Sequence, residues 1–139
     1  MALIESQHLI KARGSTIWDI ITDTRNFTVW DSGITTVSGE IRNGATIRVH
    51  TRTGGKRGFR VHVEQIPGEV MTWTRAVFPD LGTSVRTFML TRHDGMTLLL
   101  VRDETKGLLR GLIQSPFGST QQDPNDFVNA VRKRAEILG

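Results

Sequence analysis

The residues best suited to chemistry lie in the stretch VRTFMLTRHDGMTLLLVRDETKG, Val85 to Gly107. Both arms are rich in apolar, β-favouring residues, yet Arg86 stands near the start of one and Asp103 near the end of the other. Between them, Asp94-Gly95 is the dipeptide of a two-residue type I′ turn. Such a turn pairs His93 with Met96. Counting outward sets Leu90 opposite Leu99, Phe88 opposite Val101 and Arg86 opposite Asp103. In this register the two charges become partners across the strands.

The face these charges take follows from the neighbouring strands. In ATIRVHTRT the apolar residues Ile47 and Val49 alternate with Arg48, His50 and Arg52, so the odd positions point inward. GFRVHVEQI repeats the pattern with Phe59, Val61 and Val63. In EVMTWTRAVF the odd set is Met71, Trp73 and Val77, and it includes Arg75. A tight connection from Pro79 to Gly82 places Arg86 beside Arg75 and Phe88 beside Trp73. Trp73 points inward, so Arg75, Arg86 and Asp103 are expected inside as well. Two guanidiniums against one carboxylate leave a positive charge over, which a ligand carboxylate, enolate or phenolate would neutralise. In a catalytic version Arg86 and Arg75 stabilise an enolate, and Asp103 or His8 moves the proton. His8 shares its side of the first strand with Ile4, Ile10 and Ala12. Two plainer arrangements stand beside this one. Arg86 and Asp103 can be a purely structural pair, or a one-residue slip of the hairpin turns Asp103 outward and leaves Leu98 and Leu100 inside.

The elements that must position these residues are legible in the punctuation. LIESQHLIKA reads as a first strand, and the chain turns at Gly14. Ser15 or Thr16 is expected to cap a helix TIWDIITDTRNF, in which Ile17, Ile20, Ile21 and Thr24 recur at helical spacing. Turn residues then recur at Asn43-Gly44, Gly54-Gly55, Pro67-Gly68, Pro79 to Gly82 and Asp94-Gly95, the signature of consecutive antiparallel hairpins. In DPNDFVNAVRKRAEIL, Asp123 is the expected N-cap and Pro124 the first helical residue, with Phe127, Val131, Ala135 and Leu138 on one stripe. The expectation is a single α+β domain over residues 1–139: a curved antiparallel sheet of about seven strands wrapped around a long C-terminal helix. An internal cavity between sheet and helix would be lined by Val49, Val61, Trp73, Phe88, Leu99, Val101, Phe127 and Val131. KGLLRGLIQSPFGS, between the last strand and the final helix, reads as a short helix and loop, serving as a lid or packed on the sheet.

These residues carry a resemblance. Trp18, Asp23, Trp30, Gly39 and Gly44, then Pro67, Trp73, Phe88, Leu90, Gly95, Thr97 and Gly107-Leu108-Leu109, and finally Ala135-Glu136, stand where START-like proteins have their pattern. The chain resembles the polyketide cyclase/dehydrase and lipid-transport type of that superfamily, also called SRPBCC or helix-grip. The resemblance implies a cavity for a small hydrophobic or aromatic, polyketide-like or lipid-like molecule. It also implies either cyclisation or dehydration of that molecule, or its carriage or sensing without catalysis.

Composition bounds the remaining choices. An apolar fraction of 37% with 23% charged residues is that of a globular chain, and no apolar run reaches the roughly 18 residues of a spanning helix. The N-terminal segment alternates, so no secretory signal is read. The absence of cysteine fits a cytoplasmic location. A net charge of +4 raises nucleic acid as a partner, but the basic runs GGKRGFR and VRKRAE suit a polar turn and a helix end, so none is expected. An interaction module using the basic outer strands remains a further alternative. His50 and His62 lie on an outer face without a third ligand, so no metal is expected. Nor is a cofactor, since there is no nucleophile elbow and no phosphate-cradling glycine loop. The expected partner is a small hydrophobic or aromatic ligand, bound by a monomer or homodimer.

Overall fold

The computed structural model describes residues 2–52, 58–78, 82–106 and 123–138. In chain order the elements are β1 (Ala2–Ile10), α1 (Gly14–Thr22), a 3₁₀ turn (Thr24–Asn26), β2 (Ile34–Ser38), β3 (Thr46–Thr51), β4 (Phe59–Ile66), β5 (Val70–Phe78), β6 (Gly82–His93), β7 (Met96–Lys106) and α2 (Pro124–Leu138). The strands form one antiparallel seven-stranded sheet in the order β1-β7-β6-β5-β4-β3-β2. Apart from β1, which joins β7, each strand pairs with its neighbour in sequence. The sheet curls around α2, which packs on β1, β7 and α1. This is the helix-grip arrangement.

Turn chemistry sets most of this. Asp94 (φ 50°) and Gly95 (φ 80°) both adopt positive φ, as a type I′ turn requires, and the β6–β7 register runs from His93↔Met96 to Arg86↔Asp103. At the other end of the sheet, Asn43 Oδ1 accepts a 2.9 Å hydrogen bond from the backbone N–H of Gln65, tying the β2–β3 connection to β4. The expected Gly54-Gly55 turn, the Pro79 side of the β5–β6 connection and the KGLLRGLIQSPFGS segment lie outside the described residues.

Alternation then decides the faces. Ile47, Val49, Phe59, Val61, Val63, Met71, Trp73, Phe88, Leu99 and Val101 are buried on the concave side. Phe127, Val128, Val131 and Ala135 of α2 close over them. Leu138 is 53% exposed, unlike the rest of the expected stripe, and lines a cleft with Thr16 and Ile20 of α1.

The first helix departs from expectation at both ends. It begins at Gly14 with Arg13 as N-cap (φ −71°, ψ 150°) and no side-chain cap; Ser15 and Thr16 are already inside its first turn. The turn is pinned from elsewhere, by Thr97 Oγ1 of β7 donating to Ala12 O at 2.9 Å. The helix stops at Thr22 instead of running through Thr24. Asp23 turns extended (ψ 96°), and its carboxylate accepts from Arg25 N at 3.1 Å and Asn26 Nδ2 at 2.6 Å, capping the 3₁₀ turn. The start of α2 follows the sequence reading: Asp123 Oδ1 accepts from Asp126 N at 2.9 Å. Asp123→Ala should therefore lower stability by about 1 kcal/mol, read from urea unfolding. A change below about 0.3 kcal/mol would mean that this cap is redundant.

Candidate functional site

Arg86 and Asp103 meet across β6 and β7 as the turn predicts. Arg86 Nε donates to Asp103 Oδ1 at 2.7 Å and Nη2 donates to Oδ2 at 2.8 Å. The fork is complete, and both residues are buried, at 0% and 2% exposure. Such a pair is stable in the interior only because each charge compensates the other.

The β5 register corrects the expected charge row. Trp73 faces Arg86, and Arg75 faces Ser84, two residues from the expected partner. The cause lies at the connection. Phe78, and not Pro79, is set opposite Gly82, one step off the expected register, and an irregularity between Ala76 and Phe78 shifts it once more. Two single shifts restore the face but move the partner. The row therefore reads Trp73, Arg86, Asp103, with one guanidinium for one carboxylate and no excess charge. Arg75 lies instead with its Cζ 4.4 Å from the centroid of the Phe59 ring, a cation–π contact. Burial lowers the Arg75 pKa from its ordinary value.

His8 pairs with Leu99, while Ile4 is the β1 residue that faces Asp103. Four residues of strand separate the two positions, roughly 13 Å. The imidazole is half-buried with Nδ1 3.1 Å from Leu9 O, so the structure does not bring it to the ion pair.

The expected lining residues Val49, Trp73, Phe88, Leu99, Val101, Phe127 and Val131 pack into one cluster. At its centre runs an edge-to-face chain of rings: Trp73 to Phe88 at 5.2 Å, Phe88 to Phe127 at 5.6 Å, Phe127 to Trp30 at 5.6 Å and Trp30 to Phe27 at 6.2 Å. Arg86 Cζ lies 5.7 Å from the Phe127 ring centroid, so the ion pair borders this chain. Val61 differs from the others in also lining a cleft on the convex side.

Several buried polar atoms break the pattern of satisfied partners, and two of them lie beside the ion pair. Trp73 Nε1 and Ser84 Oγ have no hydrogen-bond partner among the described residues. Ser84 is fully buried, faces Arg75 on one side and Thr105 on the other, and lies two residues from Arg86 on the same face. The sequence reading passed over it, although its spacing from Arg86 in GTSVRTF puts it on the inward side. Trp73 and Ser84 are diagonal neighbours, roughly 7–8 Å apart across the strands. Together with the ion pair they make a short polar strip at one end of an apolar concave face, able to position a ligand oxygen by hydrogen bonding.

Comparison with known proteins gives a consistent picture. The family model described as polyketide cyclase / dehydrase and lipid transport matches residues 1–112. Among curated proteins no sequence matches this chain. The fold is similar to the di-domain ARO/CYC BexL from the BE-7585A biosynthetic pathway, with TM-score 0.73 and 13% identity over 99% of this chain and 47% of that one. DynU16, from the dynemicin biosynthetic locus, gives TM-score 0.69 and 18% identity over 98% of this chain. The present chain spans 48% of the length of DynU16, about half. The Aha1 dimer from Colwellia psychrerythraea gives TM-score 0.73 and 20% identity, with 99% and 98% of the two chains covered. At these identities the likeness is one of fold.

Proposed function

The chain belongs to the polyketide cyclase / dehydrase and lipid transport family, and from that membership we propose that it binds a small hydrophobic or aromatic molecule on the concave face, at the end marked by Trp73, Ser84, Arg86 and Asp103. The observation that carries this reading is that two buried polar atoms, Trp73 Nε1 and Ser84 Oγ, have no hydrogen-bond partner among the described residues. Each such group costs roughly 1–3 kcal/mol when left unsatisfied, and a ligand oxygen would remove that cost. The indole N–H can only donate, so it calls for an acceptor such as a carbonyl; the serine hydroxyl can donate or accept. Because Arg86 and Asp103 neutralise each other, the ligand is recognised as an uncharged, oxygen-bearing molecule and not as a counter-ion. The neighbouring rings Trp73 and Phe88 would take its apolar or aromatic part.

Both Asp103 oxygens are engaged by Arg86, so a proton-transfer role for this carboxylate would require the fork to open. The reading taken is binding without turnover, as in a carrier or sensor. Ser84→Ala tests it. Removing an unpartnered hydroxyl should leave the stability of the ligand-free chain unchanged or raise it, while weakening ligand retention about five- to tenfold, as the loss of one hydrogen bond does. The measurement is native mass spectrometry of wild type and Ser84→Ala purified from the protein's own host. An oxygen-bearing hydrophobic species carried by the wild type and depleted in the variant is the expected result. A ligand-free wild type, or equal retention by both, would count against this site.

A further inference from the structure

Trp73, Ser84, Arg86 and Asp103, which mark the ligand site on the concave face, are each no more than 2% exposed, and Phe127 of α2 lies over Phe88 and Arg86. A molecule can reach them only where the fold opens. β6 and β7 pair without a break from Thr83↔Lys106 to His93↔Met96, but the β4–β5 ladder stops at His62↔Thr74, although β4 continues back to Phe59 and β5 on to Phe78. Among the described residues these two stretches do not pair with each other. At the split a cleft of about 470 Å³ runs from the exposed Arg60 and His62 to Phe59 and Val61, which belong to the core. It joins the convex surface to the interior. Arg75 lines the same cleft, holds its guanidinium carbon 4.4 Å from the centroid of the Phe59 ring, and stands directly opposite Ser84 in the β5–β6 register. The stacked pair plugs the opening in front of Ser84.

We infer that the concave-face ligand enters through the split between β4 and β5, and that the Arg75–Phe59 stack is its gate; this rests on the reading of the concave face as the ligand site. Irregularities that end strand pairing gather beside functional sites. A cation–π contact suits a gate, because it is strong enough to hold the opening shut and weak enough to break at each passage. Rotation of the long Arg75 side chain away from the ring clears the cleft as far as Ser84 without moving either strand.

The test is stopped-flow fluorescence of the full chain mixed with prodan, an uncharged naphthalene that carries a carbonyl group. Wild type is compared with Arg75→Ala, Phe59→Leu, Ser84→Ala and, as a control, Arg102→Gln. Arg102 lies outside the cleft, paired with Glu5 at 2.8 Å. In Arg75→Ala the association and dissociation rates should both rise about two- to fivefold, the factor that one cation–π contact represents, with Kd unchanged. A gate behaves so because the same barrier is crossed in both directions. Phe59→Leu should move both rates the same way, and Arg102→Gln should move neither. Arg75 is only half-buried, so Arg75→Ala carries the test even if Phe59→Leu, in the core, fails to fold. Ser84→Ala should instead weaken Kd through faster dissociation alone. No prodan binding, or an unchanged Kd in Ser84→Ala, overturns the concave-face reading and the gate with it. Binding that Ser84→Ala weakens, with unchanged association in Arg75→Ala, overturns the gate alone.

Discussion

Arg86→Met will destabilise the folded chain by about 3–5 kcal/mol, because it leaves the Asp103 carboxylate buried without its counter-charge. That is a large share of the roughly 5–15 kcal/mol by which a domain of this size is stable. The wild-type carboxylate receives both of its hydrogen bonds from one guanidinium, at 2.7 and 2.8 Å, and neither side chain has appreciable contact with solvent. Removing the fork leaves an anion that must drag in water, become protonated or unfold its surroundings. The double change Arg86→Met with Asp103→Leu should recover most of the loss, since an apolar pair of similar volume pays no desolvation cost. Urea unfolding of the two single variants and the double variant, read at constant m-value, gives the coupling directly. The half-exposed Arg102–Glu5 pair provides the contrast: Arg102→Gln should cost no more than about 1 kcal/mol. A loss below about 1 kcal/mol for Arg86→Met would mean that the pair is solvated in solution.

The same pair shows what could be read from sequence and what could not. Its register follows from Asp94-Gly95, a local signal: two residues that tolerate positive φ leave one way to fold the hairpin back. The β5–β6 register has no such signal. The Phe78↔Gly82 pairing and an irregularity near Ala76 together move Arg75 two positions along, which alternation alone cannot detect. Arg75 thus left the interior row in which the sequence pattern placed it and reached the cleft beside Arg48 and Arg60. The start of α1 was obscured for a similar reason. Its anchor is Thr97, on β7, bonded to Ala12, a contact distant in sequence that no cap rule contains. Ser84 became visible as a candidate only once Arg75 and Thr105 were known to flank it. Alternation, the Asp94-Gly95 turn and the α2 cap are local and were legible; the identity of neighbours across irregular connections depends on tertiary packing and was not.

Phe127→Ala should cost about 3–5 kcal/mol, the range for a large aromatic deleted from a packed core. The ring is 1% exposed and sits where three parts of the molecule meet. It touches Phe88 of the sheet at 5.6 Å, Trp30 beyond the 3₁₀ turn at 5.6 Å, and the Arg86 guanidinium at 5.7 Å. Its loss therefore opens a cavity between helix and sheet and also removes the apolar cover from one side of the ion pair, whose desolvation depends on it. The surrounding rings are held edge to face by their own strands and can relax only partly into the space. Ile137→Ala, at a position 77% exposed on the same helix, should change stability by no more than about 0.5 kcal/mol. The comparison separates loss of core packing from loss of helix propensity, because both substitutions place alanine in α2. Urea unfolding measures the two losses, and tryptophan fluorescence reports the local one: Trp30 should shift to longer wavelength in Phe127→Ala as water reaches its freed edge. Equal, small losses in the two variants would show that α2 is not gripped by the sheet in solution. With the grip gone, the apolar cover over Arg86 and Asp103 would be gone too, and the concave-face ligand site with it.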